Sequence, residues 1–170
     1  MKLDSYMRRL AEGDSTAFRT VYDDTNKAVF YTALSILGER SLAEDAVQSA
    51  YLNVIKNAAS YKAGTNARAW IVRIVRNTAI NILNRRKREI CVDERENEAL
   101  FGTYETDEYG DITALAKAHL AAEEFNVLML VAVCGYKRRE IALMLDMPVS
   151  TVSWKYGEAI GKMRKLLEKT

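Results

Sequence analysis

An all-α fold, divided into two small helical domains, is what the sequence predicts, and three features predict it. Helix breakers are scarce: the 170 residues include 8 glycines and a single proline, Pro148. Apolar side chains recur three and four residues apart over several long stretches, the period of an amphipathic helix. An acidic, weakly apolar stretch interrupts that pattern between about residues 91 and 111, leaving residues 1–90 and 112–170 on either side. A hydrophobic fraction of 49% is enough for a core in each part.

The first long helix is expected over Asp14 to Leu37, with Asp14 at its start and Gly38 past its end. Phe18, Val21, Tyr22, Val29, Phe30, Ala33, Leu34 and Leu37 form its apolar stripe. The second opens on Ser41-Leu42-Ala43-Glu44, which reads as a capping box. Its stripe is Ala46, Val47, Ala50, Tyr51, Val54 and Ile55. A loop over Ser60 to Asn66 leads to a third helix, roughly Ala67 to Lys87. That helix carries Trp70, Ile71, Ile74, Val75, Ile82 and Leu83 on one face. Arg73, Arg76, Asn77, Asn81, Asn84 and Arg88 lie on the other. Beyond the acidic stretch, read as a flexible linker, a helix is expected from Ile112 to Val133. A short one follows at about Arg138 to Leu145, then a turn at Asp146-Met147-Pro148, and a last helix from about Val149 to Leu167.

The net charge, +2, conceals a marked asymmetry. Seven basic and no acidic residues fall between Arg68 and Arg88; eight acidic and one basic fall between Asp93 and Asp111. From Lys137 onward there are eight basic and four acidic residues. Two basic regions about an acidic one point to two surfaces that meet nucleic acid. Two cysteines, Cys91 and Cys134, and one histidine, His119, show no metal-ligand spacing. No metal, cofactor or catalytic constellation is therefore expected, and the mechanism reads as binding rather than catalysis. The amino terminus lacks the apolar core of a signal peptide, and no apolar run approaches the ~18 residues of a membrane span. A reducing, cytoplasmic setting without membrane insertion is the resulting expectation.

The segment from Tyr136 to Lys155 has the spacing of a helix-turn-helix. Ala142 is small where two helices approach, and Ile141, Leu145, Met147 and Val152 supply a shared core. Pro148 suits a helix start. The final helix then offers Ser150, Thr151, Ser153, Trp154 and Lys155 near its amino terminus, the end that enters the major groove in such motifs. Lys162, Arg164, Lys165 and Lys169 add cations for phosphates.

Three motifs in series resemble one family. Leu42-Ala43-Glu44-Asp45-Ala46-Val47-Gln48-Ser49-Ala50-Tyr51-Leu52-Asn53-Val54 and Ala67-Arg68-Ala69-Trp70-Ile71-Val72-Arg73-Ile74-Val75-Arg76-Asn77 look like the second conserved region of extracytoplasmic-function sigma factors, within the sigma-70 family. Gly135-Tyr136, Glu140-Ile141-Ala142 and Ser150-Thr151-Val152 resemble its fourth region. The resemblance implies a factor that directs bacterial RNA polymerase to specific promoters and helps open the −10 element. Residues 1–90 would bind core polymerase and the −10 element, residues 91–111 would be the linker, and residues 112–170 would bind the −35 element. Asp45, Gln48, Tyr51 and Leu52 would dock on the clamp helices of the polymerase beta-prime subunit. The beta flap is implied as a further contact, and an anti-sigma factor as a further partner. Tyr61, Lys62, Asn66, Arg73, Arg76, Asn77, Asn81, Asn84, Arg85, Arg86, Lys87 and Arg88 would meet the −10 element. Arg138, Ser150, Thr151, Ser153, Trp154, Lys155 and Lys162 would meet the −35 element. The chain departs from the family pattern at Gly157, Glu158 and Gly161, and at Leu120-Ala121 and Phe125, which implies either weakened −35 binding or an unusual −35 sequence. Two other classes fit the same residues: a regulator that binds operator DNA without polymerase, and a degenerate sigma-like adaptor that binds only protein.

Overall fold

The structure, a computed structural model, describes residues 2–90 and 110–168. Every regular element among the described residues is a helix, as expected. The front half holds α1 (Lys2–Ala11), α2 (Thr16–Leu37), α3 (Arg40–Lys56), a 3-10 turn (Ala58–Ser60) and α4 (Ala67–Ile90). The back half holds α5 (Gly110–His119), α6 (Ala122–Ala132), α7 (Arg138–Leu145) and α8 (Val149–Leu167). Most of the expected linker, with Cys91, lies outside the described residues; Gly110 and Asp111, assigned to it from the sequence, open α5 instead.

In the front half α2, α3 and α4 pack pairwise, and α1 lies against α2 and the 3-10 turn. The Asp14 carboxylate accepts a hydrogen bond from the Thr16 N–H at 3.0 Å, which satisfies a free donor at the start of α2. Gly38 ends α2 in the left-handed region at φ 78°, where an L side chain is strained. The capping box expected at Ser41 and Glu44 does not form. α3 begins one residue earlier, Ser41 donates to Glu39 at 2.6 Å, and Glu44 pairs with Arg40 at 2.9 Å. At the head of α4, Asn66 Oδ1 accepts from the Ala69 N–H at 3.0 Å. Ile71, Val72, Val75 and Ala79 of α4 are buried, each larger side chain contributing about 1.5–3 kcal/mol by leaving water. Helix α1, for which the sequence reading offered no element, buries Leu3, Met7 and Leu10.

The single helix expected from Ile112 to Val133 is two helices. The chain breaks at Leu120-Ala121, where Ala121 is extended and the Glu124 carboxylate accepts from its N–H at 3.2 Å. Residues Glu124 to Leu130 are all buried, because α6 lies between α8 and α2 and also meets α7. Helices α7 and α8 fall where the sequence places them. Asp146, between them, takes the left-handed conformation at φ 55°, which short polar side chains tolerate better than most.

The two halves touch along α2 with α6 and along α4 with α7. Ala28 and Val72 of the front half share an apolar cluster with Val127, Leu130 and Ile141 of the back. The ring of Tyr31 meets that of Phe125 edge-on at 6.4 Å. Arg68 adds a polar clasp. Its guanidinium makes two bonds to Asp24, at 2.8 and 2.9 Å, approaches Glu140 at 3.8 Å and stands 5.4 Å from the Tyr136 ring centre. The Tyr136 hydroxyl in turn donates to the Asp24 carbonyl at 3.0 Å.

Candidate nucleic-acid interface

Helix α4 is amphipathic enough to hold one face in the core and offer the other to solvent. Arg73, Arg76, Asn77, Asn81 and Asn84 are all exposed on that outer face, and Lys62 and Asn66 are exposed in the loop before it. The structure thus brings together, on one surface, guanidinium groups suited to phosphates and amides suited to base edges. Arg85, Lys87 and Arg88 continue the exposed basic surface toward the end of α4. Arg86 is exposed too, but it meets Glu39 at 2.6 Å. That carboxylate is held below its usual range by the Ser41 hydroxyl first and Arg86 second. A half-exposed pair of this kind is worth about 0–1 kcal/mol, so a phosphate can displace it.

Tyr61 is placed differently from the expectation. It is buried at 8% exposure, its hydroxyl bonds the Asp4 carboxylate and the Thr65 carbonyl at 2.8 Å, and its ring leans on Trp70 at 5.4 Å. Burial first and the Asp4 carboxylate second push its phenol up to about 12. Tyr61 therefore shapes the loop from within; it presents no free ring for a base. Asp4 also accepts from the Gly64 N–H at 3.0 Å, so α1 anchors the loop from below. No local pattern links Asp4 to residues so far along the chain.

Of the four residues assigned to polymerase docking, three share an outer face of α3. Asp45, Gln48 and Leu52 are exposed, Leu52 at 68%, with Ile55 beside them at 44%. Tyr51 is buried at 4%. Its ring packs on Phe18 at 5.7 Å and Tyr22 at 4.9 Å, and its hydroxyl lies 2.7 Å from Thr25 Oγ1. Its place is the core of the front half.

In the back half Ser150 and Trp154 are exposed on α8, with Thr151 and Ser153 half-buried beside them. Arg138 is exposed on α7, 5.1 Å from the Tyr156 ring. Lys155 and Lys162, expected to face DNA, are turned toward α6. Lys155 meets Glu123 at 2.7 Å, its side chain 16% exposed. Lys162 meets both Glu124 oxygens at 2.7 Å. Lys162 follows Lys155 by seven positions, two helical turns, so they fall on one face of α8, and that face is the one α6 covers. A groove of about 910 Å³ runs between the two halves, with Thr65, Asn66, Trp70 and Arg73 on one wall and Leu143 and Pro148 on the other. The loop before α4 and the turn before α8 thus face each other.

The Lys162 hydrogen bonds hold the Glu124 carboxyl below the usual carboxylate range, against the opposing effect of its burial. A lowered folded-state value contributes stability that is present above the unfolded pKa of about 4.3 and lost as pH falls through the folded one. Lys162→Met is therefore expected to cost about 1–2 kcal/mol at pH 7, and the difference from the parent chain should shrink as pH falls through the lowered folded-state pKa of Glu124. Urea unfolding followed by circular dichroism across that range measures it. A cost that stays constant with pH would mean that the ammonium does not act on Glu124.

Among the described residues no group of His, Cys, Asp and Glu is arranged to hold a metal ion, and no helix is long and apolar enough to cross a membrane.

Comparison with known proteins bears on the fold. Residues 21–89 match the Sigma-70 region 2 family. The chain is 29% identical over 180 residues to the ECF RNA polymerase sigma factor SigK of Mycobacterium tuberculosis, which covers 98% of this chain and 94% of that one. It is 26% identical over 147 residues to the ECF RNA polymerase sigma factor EcfG of Rhodopseudomonas palustris, covering 79% and 76% of the two chains. The backbone is similar to that of CnrH in complex with the cytosolic domain of CnrY, with a TM-score of 0.69, 20% identity and coverage of 98% and 97%. It is also similar to the sigma factor RpoE of Bartonella quintana in complex with the anti-sigma factor NepR, with a TM-score of 0.62, 20% identity and coverage of 83% and 90%. These two likenesses establish the fold.

Proposed function

We propose that the chain is a sigma factor of the extracytoplasmic-function group of the sigma-70 family, and that its surfaces direct RNA polymerase to promoters. The front half docks on core polymerase through Asp45, Gln48 and Leu52 of α3, against the clamp helices of the beta-prime subunit. A carboxylate and an amide beside apolar side chains suit a basic helix. The outer face of α4 and the loop before it meet the −10 element; the helix-turn-helix of α7 and α8 meets the −35 element, with the beta flap as its polymerase contact. The halves act as two domains joined through residues 91–109.

The observation that carries this reading is the outer face of α4, where Arg73, Arg76, Asn77, Asn81 and Asn84 all reach solvent together. Opening the −10 element takes a base out of its stack, which costs a few kcal/mol. With Tyr61 buried, that cost is offset by amide hydrogen bonds and by guanidinium planes on which a freed base can stack, stacking being worth ~1–3 kcal/mol per base. The chain acts by binding and catalyses no reaction itself. It works where polymerase works, in the cytoplasm, and an anti-sigma partner holds it inactive by covering these faces.

The test is reconstitution. Full-length protein added to core polymerase should give transcripts with defined start sites from a genomic fragment library. The same protein without polymerase should shift those fragments weakly or not at all. Tight binding without polymerase, or no transcript from any fragment, would overturn the reading.

A further inference from the structure

The outward face of α8 carries an exposed indole, and the two lysines expected on it, Lys155 and Lys162, turn to carboxylates of α6 instead. Val152, Ala159 and Met163 turn α8 into the core, which leaves Ser150, Trp154 and Glu158 outward along its first turns. The Trp154 indole is 60% exposed, beside Val149 at 43% on the same helix and Leu143 at 61% on α7. The lysines that could have read bases from this helix are occupied: Lys155 by Glu123 and Lys162 by Glu124. Both carboxylates sit on α6, in the same half as α8, so these pairs survive any movement of one half against the other.

The consequence is chemical. A guanine is read in the major groove by a guanidinium or ammonium that bonds its O6 and N7 together. The outward face of the first turns of α8 offers the Ser150 hydroxyl, the half-buried Thr151 and Ser153 hydroxyls, an indole and one carboxylate; the cation nearest the indole, the Lys155 ammonium 5.6 Å from its ring centre, is held by Glu123 at 2.7 Å. Thymine alone presents a methyl group in that groove, and apolar contact is how it is recognised. Exposed cations at Arg138 and Arg139 at the start of α7 and at Arg164 and Lys165 near the end of α8 remain for the flanking phosphates. Resting on the assignment of this half to the −35 element, we propose that Trp154 is a specificity-determining residue that reads thymine there through its 5-methyl group. Promoter choice at that position then follows a methyl group rather than a guanine edge.

The experiment uses the reconstituted holoenzyme. A −35 element is selected from a randomised library, and each thymine in it is then replaced by deoxyuridine, which pairs identically and lacks only the methyl. With the parent chain, deoxyuridine at one or two positions should lower open-complex formation about fourfold, the ~0.8 kcal/mol of one buried methyl-sized group. Trp154→Ala should lower activity on the thymine template tenfold, and its own sensitivity to deoxyuridine should fall below 1.5-fold. The side chain is exposed, so this variant should melt with the parent, which circular dichroism checks. The proposal is overturned if deoxyuridine has no effect at any position, or if Trp154→Ala stays as sensitive as the parent. Selection of elements keyed by guanine would also overturn it. In all three results the holoenzyme still transcribes and the sigma-factor reading stands, whereas silence on every template removes that reading and this one together.

Discussion

Leu52→Asp is expected to weaken binding to core RNA polymerase about 100-fold and leave thermal unfolding unchanged. Leu52 is 68% exposed, so its side chain contributes little to the fold. At an interface the same side chain gains about 1.5–3 kcal/mol by leaving water. An aspartate in its place loses that gain and adds the cost of a carboxylate with no partner, on the same face of α3 as Asp45. A combined loss near 3 kcal/mol corresponds to roughly two orders of magnitude in Kd. The preceding residue provides the contrast. Tyr51 is 4% exposed and holds Phe18, Tyr22 and Thr25, so Tyr51→Ala should lower the melting temperature first and binding only through it. Anisotropy of the labelled chain titrated with core polymerase measures the first effect, and a Kd within threefold of the parent would remove α3 from the docking surface.

The contrast between these neighbours also shows what a sequence can disclose. The faces of α4 were legible because Arg73, Arg76, Asn77, Asn81 and Asn84 keep a helical spacing opposite Ile71 and Val75, and local periodicity is sufficient for that. The limits of α7 and α8 were legible because Gly135 and Pro148 punctuate them. Where the partner is remote, the signal is absent. Lys155 and Lys162 read as DNA contacts because their carboxylates lie on another helix, Glu124 38 residues before Lys162. Tyr61 read as a loop aromatic because Asp4, which holds it, lies 57 residues away. Arg68 is the sharpest case: it sits at the start of a basic run with no acid nearby, yet it joins Asp24 to Glu140 across the two halves. The break at Leu120-Ala121 went unseen for the opposite reason, since neither residue discourages a helix and it is the Glu124 carboxylate, bonded to the Ala121 N–H, that starts α6.

Locking the two halves together is expected to abolish −35-dependent initiation. By their names the −10 and −35 elements lie about 25 base pairs apart, about 85 Å along a duplex rising ~3.4 Å per pair. A compact chain of this length is only about 40 Å across, and here α4 touches α7 while the loop before α4 faces the turn before α8 across one groove. If α4 and α8 read the two elements as proposed, they cannot reach both from this arrangement, and initiation requires that the α2–α6 and α4–α7 contacts part. Those contacts bury Ala28, Val72, Val127 and Ile141, and only a partner that binds the separated form more tightly than the closed one can part them. On the proposed reading, core polymerase is that partner. Thr32 and Asn126 are both buried at this junction, with Thr32 Oγ1 3.4 Å from Asn126 Oδ1, which makes them the place for a lock. A Thr32→Cys, Asn126→Cys chain, with Cys91 and Cys134 changed to serine, should when oxidised support less than a tenth of the reduced chain's transcription from a promoter that needs its −35 element. Dithiothreitol should restore it. An oxidised, cross-linked chain that initiates at the full rate would show that the halves need not separate, and that the two elements are not read by α4 and α8 of one molecule at the same time.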